Sequence, residues 1–291
     1  MNKCLYDKTN WEYDFFSKTD DVLEKFHKLT LMYTEEWGFR GQPGEYGNLT
    51  PSIERIFKKV DFPCTEKERE VKIEFEIKSV ELFRRTLITN QIDIKETTRE
   101  SYLYTLALLQ HYNGVTRLLD WSFSPYVALY FAICMDDKHD GEIWSFEYSQ
   151  YKQMAPAQWG KYPRMKRNDF TDAFLKDSND DWFVCEHYPR DIFPRLFSQN
   201  GFFSMTSQFG KDHAKVISKL LEDKQTFHLY IIDKNCKRQL RQYLRKEFNI
   251  WHGSLYPDIT GSGEGIKEVL TDEAEELIKH NRTCFMASIF K

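Results

Sequence analysis

The sequence predicts an α+β fold: a single mixed α/β domain with a small central sheet and a helical N-terminal subregion. Three observations carry that expectation. Helical and strand periodicities alternate irregularly along the chain, without the strict order of a βαβ repeat. Of 291 residues, 41% are hydrophobic and 16% aromatic, enough to fill a sizeable core. No repeat, low-complexity block or Pro/Gly/Ser-rich linker divides the chain, so residues 1–291 are expected to form one domain.

Each element follows from its local pattern. Residues 20–36 place apolar side chains at helical spacing behind Asp20 and Asp21, either of which can cap the first turn. WGFRGQPGEYG, from Trp37, reads as a strand running into a Gly/Pro turn. Residues 66–90 form a charged amphipathic helix whose charge runs are a solvated face. A further helix, about 98–110, leads into HYNGVTRLLDW. PYVALYFAICM, from Pro125, is a continuous apolar run whose length and small residues suit a buried helix. GEIWSFEY, from Gly141, has the alternation and aromatics of a strand, and FHLYIIDK (227–234) is a second. CKRQLRQYLRKEF (236–248) is a cationic amphipathic helix. The tail EGIKEVLTDEAEELIKH is another, with acids early and Lys/His late as the helix dipole favours. The phenylalanines of RLFSQNGFFSMTSQF (195–209) are expected in the core, with Gln199 available to a pocket wall.

The totals exclude several classes. Lys and Arg number 41 against 45 Asp and Glu, a net charge of -4, which argues against a protein held to nucleic acid by bulk charge. No apolar run reaches the 18 or so residues needed to cross a bilayer. The N-terminal MNKCLYDKTNWEYDFF lacks the apolar stretch and cleavage site of a secretory signal, so a cytoplasmic location without a membrane partner is expected. The six cysteines (Cys4, Cys64, Cys134, Cys185, Cys236, Cys284) form no C-x-x-C pair and no Cys/His cluster at zinc spacing. Reduced thiols and no metal site are the expectation. Neither a Walker A loop nor a G-x-G-x-x-G segment occurs.

Three constellations could carry chemistry. In Phe39-Arg40-Gly41-Gln42-Pro43, a guanidinium can fork onto a phosphate while the glycine lets a ligand approach the backbone. The same arginine could equally form a surface ion pair. The run from Gln110 to Pro125 supplies His111, Tyr112, Arg117, Asp120, Ser122 and Ser124 in a strongly apolar neighbourhood, where polar groups cost free energy unless paired or used. There, Asp120 or Ser122 could instead cap the following helix, Arg117 could pair with Asp120, and His111 could be a core histidine. In His252–Gly261, Asp258 sits in a Pro/Gly-framed turn, placed to stabilise a positive transition state or simply to shape the turn.

Together, WGFRGQ, QHYNGVTRLLDWSFSPYVALYFA and SLYPDITG resemble the FRG domain, a mainly bacterial and phage family named for its Phe-Arg-Gly motif. The signature spans about residues 30–262, with 263–291 a C-terminal helix and tail. The family commonly has Gly, an aliphatic residue and Pro where Asn113, Gly114 and Val115 stand, so this turn is expected to be built differently. A weaker resemblance is to ADP-ribosyltransferases of the arginine–serine–glutamate type. Those enzymes carry an aromatic-Arg-Gly strand, a Ser-rich strand before an Ala-x-x-Phe helix, and a late acid. Phe39-Arg40-Gly41, Ser122-Phe123-Ser124 before Ala128–Phe131, and Asp258 follow that order, with Asp in place of Glu and a compressed Ser-to-Ala spacing.

The resemblance implies a possible ADP-ribosyltransferase-like fold and an NAD-consuming enzyme, transferring ADP-ribose to a macromolecular acceptor or hydrolysing NAD without a metal. It would suit a toxin or an anti-phage effector. Arg40 with Gly41 and Gln42 would clamp the pyrophosphate, and His111 and Tyr112 would contact ribose or nicotinamide. Arg117 and Ser124 would complete the nucleotide site, with Asp120 in the catalytic group. Ser122 would orient the acid, and Asp258 would support the ribose cation. Two rivals stand beside this reading: a non-catalytic module binding a nucleotide or partner, and a metal-independent RNA-cleaving enzyme with His111 as base.

Overall fold

Seven strands build one mixed sheet. Its strands are β1 (Glu12–Phe16), β2 (Trp37–Gln42), β3 (Leu119–Ser122), β4 (Gly141–Glu147), β5 (Phe183–Glu186), β6 (Gly201–Thr206) and β7 (Phe227–Ile232). They lie in the order β1-β7-β4-β2-β3-β6-β5. β1 runs parallel to β7, and every other pairing is antiparallel. The computed structural model describes residues 12–32, 36–44, 49–60, 66–91, 102–135, 137–153, 183–186, 194–206, 209, 213–221 and 226–289. β6 is buried along its whole length, and β4 and β7 nearly so, because helices cover both faces.

One face carries α1 (Thr19–Met32), α5 (Pro125–Ile133) and α8 (Lys237–Phe248), packed on Phe39, Ile143, Tyr230 and Ile232. Nearly every side chain of α5 is buried, which accounts for its continuous apolar sequence. At Gly41 an added Cβ would collide with the Ala128 carbonyl, so only glycine lets α5 press this closely on β2. The other face carries α7 (His213–Leu220) over Leu119, Trp121, Trp144, Phe146, Phe202 and Leu229. Trp121, Phe123, Phe146, Tyr148 and Phe202 pack there on one another, some stacked and some edge to face, which uses part of the aromatic surplus. A third cluster joins α3 (Glu66–Thr89) and α4 (Tyr102–His111) to Leu118, Leu196, Phe203 and Met205. Further helices among the described residues are α2 (Ser52–Lys59), α6 (Pro194–Ser198), α9 (His252–Leu255) and α10 (Ile259–Ile289).

The α+β class is present as expected. The N-terminal subregion is not purely helical, because β1 precedes α1 and extends the sheet beside β7. Strands β1, β3, β5 and β6 were absent from the pattern-based expectation. β3 spans four residues, too few to display a period, and the phenylalanines of β6 have the same burial in a strand as in any other core element. The expected helix start at 98 lies outside the described residues, and the tail helix starts earlier than expected, at Ile259. Cys134 and Cys236 are free thiols. Among the described residues, no helix is long and apolar enough to cross a membrane, and no cluster of His, Cys, Asp or Glu is placed to hold a metal ion.

Candidate active site

β2 and β3 share a single register pair, Phe39 with Ser122. β2 otherwise pairs with β4 and β3 with β6, each along its full length. The two strands therefore diverge from that point, and a cavity of about 330 Å³ opens in the split. Arg40 and Gly41 line it from β2, and Asp120 and Ser122 from β3. His111 contributes from the end of α4, Arg55 from α2 and Arg195 from α6, with Phe39, Phe131 and Tyr256 as aromatic wall.

Arg40 spans the split. One terminal nitrogen donates to the Asp120 carbonyl at 2.6 Å and lies 3.7 Å from Asp120 Oδ2, while its Nε is buried without a partner. Burial pulls its pKa down to about 10, Asp120 opposes that, and the nearby Arg55 charge adds to it, so the group remains cationic at neutral pH. Asp120 is held from behind. Gln110 Nε2 donates to Asp120 Oδ2 at 2.8 Å, and Gln110 Oε1 accepts from Thr116 Oγ1 at 2.7 Å. The polar spacing of the Gln110–Asp120 segment thus assembles one orienting chain. Asn113 closes the turn in the left-handed region (φ 61°), with the Gly114 N–H donating to the Leu109 carbonyl at 2.7 Å. This is the αL helix ending that asparagine tolerates.

Arg195 organises the rim. Its guanidinium donates to the His111 carbonyl at 2.8 Å and twice to Asp258 Oδ2, at 2.8 and 2.6 Å. It also lies 5.1 Å from the centre of the Tyr256 ring. The His111 imidazole is pushed down to about 4, by burial first and by the Arg195 charge second, so it is neutral at physiological pH. Ser122 Oγ donates to the Gln199 carbonyl at 2.7 Å and accepts from the Ser124 N–H at 2.9 Å.

Arg40, Gly41, His111, Asp120 and Ser122, all singled out in the sequence, therefore share one cavity wall. Five others do not. Gln42 is buried against β4, its Nε2 donating to Glu142 Oε2 at 3.2 Å. Tyr112 is 62% exposed and touches the edge of His111. Arg117 is buried in a bidentate pair with Glu76 of α3 rather than with Asp120. Ser124 caps α5, accepting from the Val127 N–H. Asp258 caps α10, accepting from the Gly261 N–H at 2.7 Å while holding Arg195. The Gly261 N–H and Arg195 keep its carboxyl below the usual range. The carboxylate on the cavity wall is Asp120.

Sequence reasoning missed Arg55 and Arg195, since isolated arginines in charged or apolar helices carry no local sign of where they point. Residues 35–141, from just before β2 to the start of β4, match the family model of the FRG domain. Searches among curated proteins and among solved structures return no match.

Proposed function

Proceeding from a chain that carries an FRG domain over residues 35–141, we propose that the split between β2 and β3 binds NAD and breaks its nicotinamide–ribose bond. The observation that carries this reading is the charge pattern of the cavity. Three guanidinium groups from separate elements and one carboxylate line a space walled by aromatic rings. Phosphates suit the first, a developing ribose cation suits the second, and a flat base suits the third. Arg40, with its unpartnered Nε, and Arg55 take the pyrophosphate. Gly41 lines the cavity beside it. The neutral His111 imidazole and Tyr256 face the ribose and nicotinamide.

In the chemical step the C1′–N bond breaks and its electron pair goes to the pyridinium nitrogen, so nicotinamide leaves neutral. Asp120, fixed by Gln110, stabilises the ribose cation left behind. Water or a macromolecular acceptor then attacks C1′ and gives up its proton to Asp120 or solvent. Asp258, expected from the resemblance to be the supporting acid, instead positions Arg195. A toxin or anti-phage role fits such a reaction because NAD loss arrests a cell.

The test is nicotinamide release from NAD by purified protein, with calorimetric binding alongside. Asp120→Asn is expected to lower kcat about 100-fold with little change in Kd, the pattern of a lost transition-state contact. Arg40→Lys is expected to raise Kd about tenfold through loss of the bidentate fork. A protein that neither binds nor consumes NAD overturns the proposal. Saturable binding without turnover would leave a nucleotide-binding module in its place.

A further inference from the structure

Thr116 is completely buried in the link between α4 and β3, and every one of its polar groups is hydrogen-bonded. Its backbone is clamped to the start of α2. The Thr116 N–H donates to Ser52 Oγ at 2.9 Å, and the Thr116 carbonyl accepts from Ser52 Oγ at 3.0 Å and from the Ile53 N–H at 3.1 Å. Its hydroxyl oxygen accepts from the Leu118 N–H at 3.0 Å and donates to Gln110 Oε1 at 2.7 Å. Gln110 Nε2 in turn donates to Asp120 Oδ2 at 2.8 Å. The line from the Leu118 N–H through Thr116 and Gln110 to Asp120 therefore has a direction.

A threonine hydroxyl has one proton to give, and among the described residues Gln110 Oε1 is the acceptor it reaches. That fixes the carboxamide with its oxygen toward Thr116 and its NH2 toward Asp120. The reverse orientation would set an amide oxygen against a carboxylate oxygen and leave the buried hydroxyl proton without an acceptor. Asp120 Oδ2 accordingly meets an N–H, the partner an ionised carboxylate requires. On the reading of Asp120 as the carboxylate that supports the ribose cation, we propose that Thr116 is a positioning residue for NAD cleavage. Its hydroxyl sets the direction of the Gln110 amide and, through it, holds Asp120 as an oriented anion. Each bond of such a buried chain polarises the next, so its inner end matters although it touches no substrate.

Two variants separate the hydroxyl from the shape. Thr116→Val keeps the volume, with the backbone clamps to α2 in place, whereas Thr116→Ser keeps the hydroxyl. Thr116→Val is expected to lower kcat for nicotinamide release about tenfold with Kd for NAD within about twofold of native, and Thr116→Ser to recover most of that loss. Gln110→Met is expected to lower kcat to a similar degree, and adding Thr116→Val to it to lower kcat no further, because both act through one amide. NMR without NAD reads the amide itself. Slow exchange of the Gln110 side-chain N–H protons with water is expected in the native chain and in Thr116→Ser, and is expected to be lost in Thr116→Val. Unprotected Gln110 protons in the native chain, a kcat for Thr116→Ser as low as for Thr116→Val, or losses that add in the double variant would overturn the proposal. A native chain with protected Gln110 protons that releases no nicotinamide would overturn the NAD reading, and with it the catalytic use of the chain, while the amide direction stands.

Discussion

Arg40, part-buried, and Arg117, buried, come from the same signature, and their surroundings give them opposite uses. Arg117 meets a carboxylate, with its Nε 2.8 and 2.9 Å from the two oxygens of Glu76. Arg40 meets a carbonyl and keeps one N–H unspent beside a cavity. Arg117→Met is expected to cost about 3–5 kcal/mol, because Glu76 is left buried and uncompensated. Adding Glu76→Leu should restore most of that loss, and thermal unfolding of the single and double variants measures both. Glu142 supplies a pH-dependent case. Burial raises its pKa from 4.5 to about 8, opposed by Trp144 and Lys237, so between those values the folded chain holds a proton that the unfolded chain has released. Stability therefore falls as pH rises through that window. Glu142→Gln is expected to be more stable than the native chain at pH 8 by roughly 2–4 kcal/mol and nearly equal to it at pH 4.5. Urea melts at the two values decide; an equal difference at both would exclude burial of the carboxyl as the cause.

At the scale of elements, one side chain couples a helix end to the cavity. Asp258 satisfies the first turn of α10 through the Gly261 N–H and turns its other oxygen to Arg195. Removing it with Asp258→Ala should cost about 1 kcal/mol in lost capping and free Arg195 to leave the rim. For NAD cleavage the expected outcome is a higher KM with kcat within about threefold of native, since a lost uniform contact leaves the chemical step alone. The reverse pattern, a collapse of kcat at constant KM, would return Asp258 to the role of supporting acid. Steady-state kinetics separate the two.

At the scale of the whole molecule, an acidic chain with net charge -4 concentrates three arginines in one cavity. Anion binding is then local and partly shielded from solvent ions. Raising NaCl from about 0.05 to 0.5 M is expected to raise Kd for NAD by about two- to fivefold, far below the roughly 10³-fold or greater loss of a protein held to nucleic acid by many phosphate contacts. Calorimetry across the salt series checks this, and a loss of hundredfold or more would favour the RNA-cleaving alternative.

Periodicity and turn chemistry determined the α+β class, the paths of α1, α3, α5, β2, β4, β7 and α8, and the two segments that carry Arg40, His111, Asp120 and Ser122. These are short-range properties, readable from neighbouring residues, because a helix or strand buries one side at a fixed interval. Only the tertiary structure decided that β2 and β3 meet at one pair and then part, that Arg195 completes the rim, and that Asp258 serves a helix end. It also decided that Arg117 belongs to Glu76, 41 residues away. Those outcomes depend on strand order and on side chains brought together from distant elements. A carboxylate or guanidinium carries the same local signature whether its partner is another side chain, a backbone N–H or a ligand.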